Sequence, residues 1–209
     1  MKAIAAGALA ALLALPAPCL AHRLDEYLQA TRIALARDRI DIEIDATPGA
    51  LMAGDIMSWL DLDADGHISP REAEAYGQAV LRDAQLDLDG VPLLLTLTRV
   101  EVPSVGEMRD GVGTIQIRAA GQIAPIAAGR RSVVFVNNHH PEGSVYLANA
   151  LVSADPGIDV VAQTRDVRQR QIRVDYEVRK AGGSALAWSL VAAGMLTTLV
   201  VFRSRGGRQ

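Results

Sequence analysis

The sequence predicts a mainly β, β-sandwich-like domain interrupted by one helix–loop–helix, with a single apolar helix at its C-terminal end. Three observations carry that expectation. Ile40, Ile42 and Ile44 alternate with Asp41, Glu43 and Asp45, the period-two pattern of a half-buried strand. At least seven further short stretches of the same character follow one another, separated by Gly, Pro and Asn clusters. Between the first pair and the rest, the apolar residues switch to helical spacing on both sides of an acidic loop.

The elements follow in order. Residues 26–36 and 40–46 read as two strands, with Asp38-Arg39 between them as a hairpin turn. Thr47-Pro48 then offers a helix start, Thr47 as N-cap and Pro48 at the first helical position. Leu51, Met52, Ile56, Trp59 and Leu60 form that helix's apolar stripe. A second helix opens at Ser69-Pro70-Arg71-Glu72, a capping box with proline at N1, and continues through Ala73, Tyr76, Val80 and Leu81. The helix pair, residues 48–84, is thus an insertion after the first hairpin. Strand character returns at Leu86. Asp89-Gly90 marks a turn before a single run over 93–102. Residues 114–118, 132–136, 144–152, 158–163 and 171–178 complete the expected strands.

The two ends are read separately from this domain. Residues 1–21 have one positive charge, Lys2, an apolar run and Ala21 at the end, the pattern of a secretory signal peptide that leaves His22 as the mature N-terminus. Cys19 is the only cysteine, so the exported domain over 22–180 carries no disulfide framework. Residues 184–202 contain no charge and approach the length needed to span a bilayer, and Arg203, Arg205 and Arg208 follow in a tail over 203–209. That arrangement predicts a single-pass protein of the inner membrane with a cytoplasmic tail and its main domain in the periplasm. Ala185, Ser189, Ala193 and Thr197 share one face of the span and could pack against a second copy or a transporter. The whole chain balances 21 basic against 24 acidic side chains, which gives no reason to expect nucleic acid as a partner.

The loop between the helices carries the chemistry. Asp61, Asp63 and Asp65 occupy positions 1, 3 and 5 of a twelve-residue stretch, Gly66 position 6, His67 position 7, Ile68 position 8, Ser69 position 9 and Glu72 position 12. This is the EF-hand spacing, and the expected cofactor is one calcium ion. Calcium takes six to eight hard oxygens. Side chains of Asp61, Asp63, Asp65 and Glu72 would supply most of them, and His67 its backbone carbonyl. Gly66 permits the sharp turn, and Ile68 anchors the loop to the core. An unpaired exported hand is expected in the weak range of about 10⁻⁴–10⁻³ M.

A second metal reading rests on histidine. His22 at a mature N-terminus could chelate copper or nickel through its amine and imidazole, with His139 or His140 of NNHHPEGS giving a further nitrogen; the competing reading of adjacent histidines in such an Asn/Pro/Gly loop is that they are solvated. No GxSxG, HExxH or phosphate-binding loop occurs, and a non-enzymatic protein is expected.

Residues 21–30 (AHRLDEYLQA), the loop over 61–72 and residues 138–147 (NHHPEGSVYL) together resemble a group of exported EF-hand-containing proteins of Gram-negative bacteria. The plan is also similar to the exported N-terminal domains of bacterial nickel/cobalt permease-like proteins. That resemblance implies an accessory role beside a metal transporter. The chain departs from those permeases in having one expected span where they have several.

Overall fold

The structure, a computed structural model, describes residues 25–125 and 127–180. The expected leader over 1–21, His22, the expected span over 184–202 and residues 203–209 lie outside the described residues. Among the described residues no helix is long and apolar enough to cross a membrane.

Two five-stranded sheets enclose one core. The chain opens with β1 (Tyr27–Leu35) and β2 (Arg39–Pro48), paired antiparallel through a tight turn in which Ala36 N donates to Arg39 O. The predicted alternation holds. Ile40, Ile42 and Ile44 are at most 1 % exposed, each contributing about 1.5–3 kcal/mol by burial. Helices α1 (Ala53–Leu60) and α2 (Pro70–Arg82) follow as the insertion. β3 (Ala84–Leu88), β4 (Val91–Leu93), β5 (Leu95–Glu101), the short α3 (Val105–Arg109), β6 (Ile115–Gln122), β7 (Gly129–Asn137), β8 (Ser144–Ala150), β9 (Ile158–Arg165) and β10 (Gln171–Val178) complete the described fold.

The first sheet has the order β5-β6-β2-β1-β8, and the second β4-β3-β7-β10-β9. β8 lies parallel to β1, and the other pairings are antiparallel. Ile33, Ile42 and Ile117 from the first sheet join Phe135, Ile172 and Val174 from the second in one apolar cluster, with Ile56, Leu60, Tyr76 and Val80 of the helix pair packed into it. The insertion is therefore part of the core.

Two local expectations are corrected. Thr47-Pro48 does not start a helix. β2 runs through both residues, Thr47 opposite Leu28 and Pro48 opposite Tyr27, and the Thr47 hydroxyl bonds that of Thr114 at 2.7 Å. Pairing with β1 outweighs the local capping preference, and proline in the last strand position interrupts no interior ladder bond. α1 starts later, with Met52 as an N-cap that offers no side-chain acceptor. The run over 93–102 is not one strand either. Leu93 pairs with Leu86 in the second sheet and Leu95 with Gly121 in the first, so the chain changes sheets at the exposed Leu94. Alternation records an extended backbone but carries no information about which sheet receives it.

Candidate metal centre

The expected loop forms a compact turn at the end of the helix pair. α1 ends at Leu60, and Asp61 leaves helical geometry with φ −87° and ψ 82°. The Asp61 carboxylate then reaches forward across the loop. Its Oδ1 accepts from Asp65 N at 3.1 Å, and its Oδ2 from Gly66 N at 2.9 Å. Asp63 Oδ1 also accepts from Asp65 N, at 3.3 Å, and Asp65 Oδ1 from His67 N at 2.7 Å. These bonds fold the backbone around the acidic side chains. Gly66 takes φ +83°, where a side chain would be strained, and Ala64 takes φ +58° despite its Cβ. As a result Asp61, Asp63 and Asp65 each present a carboxylate oxygen within 4.8 Å of the others.

Glu72 does not join them. As N3 of α2, its Oε2 accepts from Ser69 N at 2.9 Å and from the Ser69 hydroxyl at 2.8 Å, while the Ser69 hydroxyl accepts in turn from Glu72 N. The expected capping box is present. Oε1 accepts from Leu62 N at 2.8 Å, so the same carboxylate ties the start of the loop to the start of α2. Bonds from the Ser69 amide and hydroxyl, then from Leu62 and Asp63, hold this carboxyl below the usual range. His67 is exposed, Ile68 is partly buried against the core as expected, and Asp63 and Asp65 face solvent.

The donor set suits a hard cation. Three carboxylates converge, and a fourth, Glu72, stands at the loop's closing position but is engaged by Ser69 and Leu62. Nitrogen and sulfur ligands are absent from the acidic trio. Exposed acidic groups are common in proteins without a bound ion. The weight therefore lies on the spacing, the left-handed turn at Gly66 and the two flanking helices.

The histidine segment has a different place from the one expected. His139 is buried, at 2 % exposure, not solvated. Its Nδ1 lies 2.7 Å from Asp83 Oδ2, directly after α2, and its Nε2 lies 3.3 Å from the Tyr76 hydroxyl, which bonds that of Tyr27. Its amide donates to Asn137 Oδ1, and its carbonyl accepts from Gln29 Nε2 and the Tyr146 hydroxyl. Both ring nitrogens are thus engaged. Burial pulls the His139 ring below its ordinary value, against the opposing pull of the Asp83 carboxylate. His140 takes φ +46° and stacks on Trp59 of α1, ring centres 3.6 Å apart and 5° from parallel.

The two histidines therefore grip both helices of the loop, α1 through Trp59 and α2 through Tyr76 and Asp83. Sequence reasoning missed these partners. The only local sign of them was the unusual HH pair itself.

No family model matches the chain, and no curated protein matches it.

Proposed function

We propose that this protein is a calcium-binding module in which the loop from Asp61 to Glu72 closes around one ion. The convergence of the Asp61, Asp63 and Asp65 carboxylates at the tip of a helix–loop–helix carries the reading. Those three side chains and Glu72 would hold the ion, with the His67 carbonyl completing the set. Glu72 must give up some of its four hydrogen bonds to do so, which lowers affinity and fits a weak, structural site.

The bound ion would neutralise the crowded carboxylates and fasten the helix pair to the sheets. The module is read as non-enzymatic. The leader-like residues 1–21 and the apolar, arginine-flanked residues 184–202 support export and a single membrane anchor in the inner membrane, with the module in the periplasm. A transporter beside it, or a second copy, is the partner this plan favours.

Thermal melting of the full chain tests the reading. Millimolar calcium should raise the melting temperature, and excess chelator should reverse it. Asp61→Ala should melt at one temperature with or without calcium. A calcium shift that survives Asp61→Ala would remove the ion from this loop.

A further inference from the structure

Four segments meet at one end of the sandwich, Arg179 and Lys180 among them. The β1–β2 turn over 36–38 is their hub. Asp38 O accepts from Ile123 N at the start of the β6–β7 loop, and Leu35 O accepts from the Ser153 hydroxyl in the β8–β9 loop. Arg37 reaches further. Its Nε donates to Asp155 Oδ2 at 2.7 Å, and its Nη2 to Arg179 O at 3.2 Å. Gly157 leaves room for that guanidinium, because a Cβ there would collide with Nη2. Arg179 N in turn donates to Gly157 O. The chain therefore leaves the domain from a fixed point between these loops. The uncharged residues 184–202 begin shortly afterwards, and residues 181–183 can place Ser184 at most about 14 Å from Lys180.

The loops around that exit are apolar where they are exposed. Val152 is 96 % exposed and Leu151 40 %. Ala154 and Pro156 in the same loop are exposed too, as are Ala124 and Pro125 across the turn. The acidic side chains of the turn and the β8–β9 loop are matched, Asp155 by Arg37 and Asp38 by Arg39. Arg179 is paired with Asp159, while Lys180 has no ion-pair partner among the described residues. The opposite end, about 27 Å away along β1, has another character. The acidic loop lies there, against residues 102–105 that follow β5. Leu51, Leu62 and Val112 are exposed at that end, but in the company of Asp61, Asp63, Asp65 and Asp110, which anionic lipid repels.

We propose that the exit end of the sandwich docks on the bilayer surface, with Val152 entering the boundary between headgroups and acyl chains and Lys180 facing lipid phosphates. The acidic loop then points away from the membrane. This rests on the reading of residues 184–202 as an anchor.

Two valines of near-equal exposure, one at each end, supply the test: Val152, and Val167 in the β9–β10 loop. Val152→Cys and Val167→Cys, each in a full-length Cys19→Ser chain, are labelled with an environment-sensitive dye. Both are reconstituted into vesicles of phosphatidylethanolamine and phosphatidylglycerol, with and without brominated acyl chains. Flotation checks the anchor separately. The label at position 152 should shift to the blue and lose about half its emission to the bromines, the depth of an interfacial contact, while the label at 167 should do neither. A chain that floats with the vesicles but leaves both labels unquenched keeps its anchor and overturns the docking. A blue shift at 152 without quenching would mean that a second copy covers this end, and quenching at 167 in excess of 152 would mean the reverse orientation. Either overturns the proposal. A chain that fails to float removes the anchor and the docking with it.

Discussion

Ala64 and Gly66 stand two residues apart in the same left-handed region of backbone space, and only one of them is glycine. The acidic loop therefore holds a strained position at Ala64. The left-handed conformation costs an L-residue about 1–2 kcal/mol, of which glycine's greater unfolded-state freedom returns part. Ala64→Gly should raise stability by about 0.5–1 kcal/mol in urea denaturation. Gly66→Ala should lower it by about 1 kcal/mol, a purely conformational cost, since a Cβ there meets nothing within 4 Å. Ser69→Ala removes the cap of α2 and should cost about 1 kcal/mol in the same measurement. At this scale the sequence was readable. The Asp, Gly and Ser-Pro-x-Glu positions fix turn, strain and cap through bonds reaching at most five residues. The orientation of Glu72 was not readable. Its carboxylate could serve the helix cap or an ion, and spacing alone does not distinguish the two.

Elements meet through contacts that no local pattern encodes. α2 lies close on β5 because Gly77 has no side chain. A Cβ there would stand 2.5 Å from Val100 Cγ2 and 3.1 Å from both Leu97 methyls. Alanine improves helix propensity by about 1 kcal/mol, but a clash with a stiff β-branched side chain costs about 1–3 kcal/mol. Gly77→Ala should therefore lose about 1 kcal/mol of stability, read by denaturation. The histidine pair is the second such contact. Burial lowers both rings in the folded state, and His139 is also lowered by its neighbour His140. Each ring is more readily protonated in the unfolded chain, so their contribution is fully present above about pH 6.5. Stability should fall as pH drops below 6.5 and level off once the folded-state values are passed. His139→Gln should flatten most of that step in melting curves taken across the range. Glu43, Glu72, Glu107 and Asp155 are all lowered, so their contributions are lost only at more acidic pH. Strand identity was legible because alternation is local. The Trp59–His140 stack spans 81 residues and the Asp83–His139 bond 56. Pairings of that reach depend on sheet order, which periodicity does not contain.

Over the whole molecule, the helix pair is gripped from three sides: the sheets' core beneath it, β5 beside α2, and the His139–His140 segment bridging its two helices. The acidic loop is the fourth side and the only one held chiefly by exposed polar groups. An ion there would close the insertion onto a fold already tied at its other faces, which is how a weak site can act structurally. Layer composition was legible from the many short alternating strands. The parallel β1–β8 pairing and the change of sheet at Leu94 were not, because both are decided by tertiary partners. Calorimetric titration of the full chain with calcium tests the central claim most directly. One ion should bind per chain in the range of about 10⁻⁴–10⁻³ M, and the heat should vanish in both Asp61→Ala and Glu72→Ala. No heat at millimolar calcium, or an isotherm unchanged by Glu72→Ala, would contradict the account.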